Sequence, residues 1–265
     1  MILPGYWNAQ PSAAFAKLPG NTVAVLPLGA TEQHGPHLLT GVDSMLVGAV
    51  LARALAVLPA GTPVLALPPL DITRSGEHSA WPGTLALGPS LLLDMLDQIA
   101  VSVVRAGIGR LFLLNGHGGN TALLEVAVRE LRLVHGMITA HASWFSFADQ
   151  TGWDVAALGY DLHGGDLETS AMLAIAPDLV DMTRACDFRT VQADWAQATP
   201  AIGLGGQPVR PGWLATDLQI EGAMGNASAA NAQKGAALLD SAAAALAEAL
   251  TQFIRFDPAS TGEQA

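Results

Sequence analysis

Asn21-Thr22-Val23-Ala24-Val25-Leu26-Pro27-Leu28 runs directly into Gly29-Ala30-Thr31-Glu32-Gln33-His34-Gly35-Pro36-His37, so an apolar segment ends on a cluster of acid and imidazole side chains. The apolar part is too short for a buried helix and reads as a buried strand. Pro63 to Leu67, Arg110 to Leu114 and Met137 to Phe147 share its character. Between these runs, Ser44 to Leu58, Ser90 to Ala106 and Thr121 to Val134 have helical length and composition, with Pro89 and Ser90 as start signals and Gly107 as a stop. The order β-α-β-α-β-α-β predicts an α/β fold, a largely parallel sheet sandwiched by helices.

Asp187 to Gly225 is less periodic and rich in Gly, Pro and Trp, which predicts irregular structure over the site or at a subunit contact. An Ala-rich final helix is expected over Ser228 to Phe253. Residues 1–256 are read as a single domain and 257–265 as a disordered tail.

With 265 residues, 51% of them hydrophobic, the chain can bury a substantial core. A net charge of −11 and only 12 Lys and Arg leave no basic face for phosphates, so no nucleic-acid partner is expected. The single cysteine, Cys186, cannot make an internal disulfide or a thiolate cluster, so any metal must be held by His, Asp and Glu. Met1 to Lys17 has no basic stretch followed by an apolar run, and the apolar C-terminal pattern is interrupted by Asp240 and Glu248. Neither a signal peptide nor a membrane span is expected, which makes the cytoplasm the expected location.

Charged residues are sparse, at 13%, and there are 7 His, yet both concentrate where strands should end: at Thr31–His37, at Asn115–Asn120 and at Asp161–Ser170. Open parallel sheets gather ligands at that edge. Glu32 and His34 are two apart in an extended segment, so their side chains can converge on one ion or a close pair. Asp43 alone would read as a helix cap, and beside Glu32 and His34 it reads as a carboxylate between two metals. His117 sits between Gly116 and Gly118 directly after a strand. His163 alone would be a buried histidine, and Glu168 an acid favoured by the dipole of the helix it opens. Together they would crowd one edge of the sheet with acids and imidazoles, and that pattern points to a metal site and a hydrolase.

The segments Leu26–His37, Ser75-Gly76-Glu77-His78 with Pro82-Gly83-Thr84, Asn115–Asn120, and His163-Gly164-Gly165 with Glu168-Thr169-Ser170 occur in the order of one known family. From about Val23 to Lys234 the chain resembles the creatininase (creatinine amidohydrolase) family of metal-dependent hydrolases. The resemblance implies a three-layer α/β/α sandwich, two divalent metal ions per chain and hydrolysis of amide C–N bonds. It further implies that Glu32 and His34 bind separate ions, that Asp43 bridges them, that His117 is a further ligand, and that Glu168 is the remaining ligand or the base. A homo-oligomer, with a hexamer as one candidate form, is implied as well. Creatinine-cleaving members carry Tyr and a metal-binding Glu after the motif histidine, where this chain has Gly118 and Gly119. That version resembles the branch that includes formamidopyrimidine-nucleotide deformylases and the mycofactocin-maturation peptidase.

The expected reaction is attack by metal-activated water on the amide carbon of a small cyclic amide or formamide, with His163 or Glu168 carrying the proton and His163 assigned as acid. A short modified peptide is the alternative substrate, and a noncatalytic metal-binding scaffold the alternative function. Mixed His and carboxylate ligands suit zinc first, with manganese or iron as alternatives. Ser75, Glu77 and His78 are expected near substrate or the metals, with a purely structural turn equally open for Glu77. His37 is read as supporting the ligands rather than joining them. Trp144, Tyr160 and Trp213 are candidates to wall a ring pocket, with core burial as the competing reading.

Overall fold

A computed structural model describes residues 5–154, 157 and 159–259. The expected tail from 260 onward lies outside the described residues.

Five strands, β1 (Gly5–Tyr6), β2 (Val23–Leu28), β3 (Val64–Ala66), β4 (Arg110–Asn115) and β5 (Ile138–Ser143), form a parallel sheet in the order β1-β3-β2-β4-β5. β2 is buried throughout, and its side chains divide by the period of two that a strand imposes. Val23 and Val25 face one apolar layer, built with helices α1 (Val42–Val57), α4 (Asp166–Ile175) and α7 (Ala232–Phe253). Ala24, Leu26 and Leu28 face the other, built with α2 (Pro89–Arg105) and α3 (Thr121–His135). The expected layered α/β architecture is therefore present.

Several boundaries differ from expectation. The fourth expected strand ends at Ser143, and Trp144–Phe147 turn as a 3-10 helix. β1 is an additional edge strand of two residues, too short to leave a pattern in the sequence. The final helix begins at Ala232, with Asn231 Oδ1 accepting from the Lys234 amide. Within the irregular segment, α5 (Gln192–Ala198), α6 (Ala215–Leu218) and a small antiparallel ribbon of β6 (Asp187–Phe188) with β7 (Gly225–Asn226) are formed.

The chain leaves β2 for β3 on one side and returns to β4 on the other, so the strand order reverses around β2. Leu28 and Asn115 lie in register, which sets the carboxyl ends of β2 and β4 side by side at that reversal. Gly116 keeps the edge open: a Cβ there would lie 2.8 Å from the Asp43 carbonyl and 2.9 Å from Val47, where the first turn of α1 packs on the strand ends.

Candidate metal centre

Three buried imidazoles at this edge each spend one ring nitrogen on a main-chain carbonyl. His34 Nδ1 lies 3.0 Å from the Glu32 carbonyl, His117 Nε2 is 2.9 Å from the Arg74 carbonyl, and His163 Nε2 is 2.5 Å from the Gln33 carbonyl. A carbonyl only accepts, so these nitrogens carry the protons and the other nitrogen of each neutral ring presents a lone pair. The lone pairs face carboxylates. His34 Nε2 is 3.3 Å from Asp43 Oδ1 and 3.7 Å from Glu168 Oε2. His117 Nδ1 is 3.1 Å from Glu32 Oε1 and 3.2 Å from Asp43 Oδ2, and His163 Nδ1 is 3.4 Å from Glu32 Oε1.

Lone pairs set against carboxylate oxygens repel unless a cation lies between them. Glu32 Oε1 and Asp43 Oδ2 are buried and have no hydrogen-bond donor, as oxygens reserved for a metal would. Ligand atoms approach one another within 4.8 Å in three groups: Glu32, Asp43 and His117; His34, Asp43 and Glu168; and Glu32, His34 and His163. Asp43 belongs to the first two. Tetrahedral or higher coordination by neutral imidazole and carboxylate suits a divalent ion, so the residues present fit such a group.

The same field favours any cation between ring and carboxylate, a proton included, as the ionisation shows. Burial disfavours a charged His34, but Asp43, with Glu168 and Glu32, outweighs it and pushes the ring up to about 9. His117 is also raised well above its ordinary value, because Glu32 and Asp43 overcome its burial. Burial pushes the Glu168 carboxyl up to about 7 against the pull of His34. His163 moves the other way: burial, then the neighbouring His34 and His78, lower it well below the usual histidine range.

Asp43 lies in the first turn of α1 and makes no side-chain cap, so its carboxylate is free to face His34 and His117. Ser75 Oγ donates to Glu32 Oε2, which turns Oε1 inward. His78 Nε2 approaches Glu32 Oε1 at 3.5 Å, and its ring stacks on His163 at 4.1 Å between centroids. Glu77 pairs with Arg74 at 2.7 Å and lies 3.4 Å from His117 Nε2, on the side of the ring away from the other carboxylates. Its own burial is outweighed by His117 and Arg74, which hold the carboxyl down to about 2. A Cβ at Gly119 would lie 1.8 Å from Glu77 Oε1 and 2.4 Å from His117 Nε2, so glycine there leaves room for that carboxylate. His37 Nε2 lies 2.9 Å from Thr169 Oγ1, beside Glu168 rather than in a ligand group.

The aromatic candidates are dispersed. Trp144 is completely buried in the core, stacked on Phe145 at 3.9 Å, and turns no ring face to solvent. Tyr160 is exposed. Trp213 packs with Trp81 against Ala215, Leu218 and Met224. A cavity of about 570 Å³ adjoins the His163 segment, lined by Trp153, Asp161, Asp166, Asn226, Asn231 and Lys234. Sequence reasoning passed over Gln33, Asn115 and Arg74. The signal was present for the first two, which sit inside the quoted motifs, whereas Arg74 reaches His117 through its carbonyl, a contact that leaves no side-chain signature.

The family described as creatinine amidohydrolase matches residues 9–250. Creatinine amidohydrolase of Pseudomonas putida is 35% identical over 185 residues, covering 63% of this chain and 70% of that protein. A mycofactocin precursor peptide peptidase from Mycobacterium ulcerans is 34% identical over 199 residues, covering 72% of this chain and 73% of the relative. A manganese form of creatininase superposes with a TM-score of 0.73 at 28% identity, covering 97% of this chain and all of that one.

Proposed function

The chain belongs to the creatininase family and is a metal-dependent hydrolase of C–N bonds, and from that premise we propose that it is a binuclear amidohydrolase acting on a small cyclic amide or formamide. The observation that carries this reading is the set of imidazole lone pairs aimed at carboxylate oxygens without donors. Glu32, Asp43 and His117 would hold one ion, and His34, Asp43 and Glu168 the other, with Asp43 between them. Zinc fits this donor set, and so do manganese and iron.

When bound, two divalent ions lower the pKa of water toward neutrality and polarise the scissile carbonyl. The chain's own residues supply the rest. Ser75 orients the Glu32 carboxylate, and the Glu32, Gln33 and Arg74 carbonyls orient the three rings. His163, with its Nε2 proton held by the Gln33 carbonyl and Nδ1 turned inward, accepts the water's proton and returns it to the departing nitrogen, as base and then acid. Glu168 serves as ligand in this scheme.

A second reading, hydrolysis of a short modified peptide, is supported by the peptidase relative. A homo-oligomer is proposed as well, supported by β5, whose six residues form an edge of the sheet that a second copy can cover.

Elemental analysis of wild type and His117→Ala, paired with release assays over creatinine, other cyclic amides, formamides and short peptides, tests the reading. The expected result is about two metal ions per chain, a marked loss of both metal and turnover in the variant, and activity on one substrate class. A protein with no bound metal and no metal-restored turnover would leave only the scaffold function.

A further inference from the structure

Gln33 stands between the two ligands Glu32 and His34, and none of the roles above uses its side chain. Its amide orientation is fixed by groups that have no choice. Oε1 accepts from the Gly35 amide at 2.8 Å, so Nε2 is the donor to the Gly222 carbonyl at 3.1 Å and to His78 Nδ1 at 2.8 Å. Gly222 is shaped to that amide: it has φ +89°, and a Cβ there would lie 2.0 Å from Gln33 Oε1.

A ring nitrogen that accepts carries no proton, so neutral His78 is protonated at Nε2. That nitrogen lies 3.5 Å from Glu32 Oε1. The main chain of Gln33 disposes the stacked partner ring the other way, because its carbonyl takes the Nε2 proton of His163 and leaves Nδ1 facing the same Glu32 oxygen at 3.4 Å. One residue thus turns a donor and an acceptor toward a single point.

We propose that Gln33 is a positioning residue that fixes His78 as the Nε2–H tautomer, so that His78 donates a hydrogen bond to the scissile amide oxygen while His163 Nδ1 takes the proton of the attacking water. This rests on the hydrolase reading above. Water's hydroxyl bonds to the carbonyl carbon and its proton passes to His163. The carbon–nitrogen bond then breaks and His163 gives that proton to the leaving nitrogen. His78 keeps its own proton throughout and stabilises the negative charge that gathers on the oxygen.

Ring ¹⁵N NMR of the zinc-loaded, histidine-labelled protein reads the tautomer directly, with turnover measured on whichever of creatinine, a formylated amine or a short peptide reacts best. His78 is expected as Nε2–H in wild type. In Gln33→Glu the acceptor-only carboxylate draws the proton to Nδ1, and kcat falls by about 10²-fold, the cost of one transition-state donor, with KM and zinc content nearly unchanged. In case that variant fails to fold, His78→Gln, which keeps an amide N–H, is expected to retain more kcat than His78→Leu at equal zinc content. A wild-type His78 protonated at Nδ1, equal kcat in the two His78 variants, or full activity in a tautomer-switched Gln33→Glu would overturn the proposal. A correct tautomer without metal-restored turnover would instead overturn the hydrolase reading and the donor role with it, leaving the positioning by Gln33 in place.

Discussion

The connections after β2 and after β4 each deliver imidazoles to the same buried edge, and they are braced in different ways. The short one is tied first within itself, where Asn115 Nδ2 donates to the His117 carbonyl at 2.7 Å, Asn115 Oδ1 accepts from the His117 amide at 3.2 Å and Asn120 Nδ2 donates to that same oxygen at 3.2 Å, with Thr73 and Arg74 bracing it from outside. The long one is held by distant segments. The Gln33 amide donates to Thr84 Oγ1 at 3.1 Å, Ser75 donates to Glu32, and Gly222 takes the Gln33 amide. A tight loop can be fixed by one asparagine, whereas a long loop needs several weak supports, each dispensable alone.

Asp43 is where the two meet, since it faces His34 from one connection and His117 from the other. The largest effect is therefore expected for Asp43→Ala. Metal content should fall from about two ions to below one per chain, and turnover by at least roughly 10³-fold, because several kcal/mol of transition-state stabilisation go with the ions. Elemental analysis with wild-type metal content would show that the connections build independent sites.

Asn115→Ala should break the short connection outright. Stranding buried main-chain groups of His117 costs about 2 kcal/mol, which lowers Tm by roughly 4–8 °C for a chain of this size. A calorimetric shift near zero would show that the loop is held by something other than Asn115. Ser75→Ala should have the smallest effect, a loss of metal affinity of about 10-fold in chelator competition with Tm nearly unchanged, because Thr84 and Gly222 still hold the long connection. A Tm loss as large as that of Asn115→Ala would erase the contrast.

This contrast also explains what could be read in the sequence. The alternation of apolar runs and helices gave the layers, and the motif residues Glu32, His34, Asp43, His117, His163 and Glu168 do converge, because all but His163, which an isolated bridge to Met224 holds, follow a strand or open a helix. Their supports were less legible. Ser75, Thr84 and Gly222 reach the β2 connection from 43, 51 and 189 residues away, and no local spacing encodes such partners. Asp43 taken alone reads as a cap because the spacing predicts that α1 begins at Ser44. Its start at Val42 makes Gly41 the residue at the cap position and places Asp43 inside the first turn. Trp144 follows β5 at the carboxyl edge, where a wall of the site was conceivable, but the 3-10 turn at that point rotates it into the core.

Gly119 and Glu77 have an evolutionary consequence. The volume that a side chain at 119 must enter is filled by a carboxylate pinned between Arg74 and His117. Drift at one position is therefore conditional on the other: any larger residue at 119 is disfavoured until residue 77 has shrunk and the His117 ring, 2.4 Å from the same point, has shifted. The order of the two changes, rather than their sum, decides whether an intermediate sequence keeps its metal centre. Lineages on either side of that step are expected to stay apart, because the direct path between them crosses a clash.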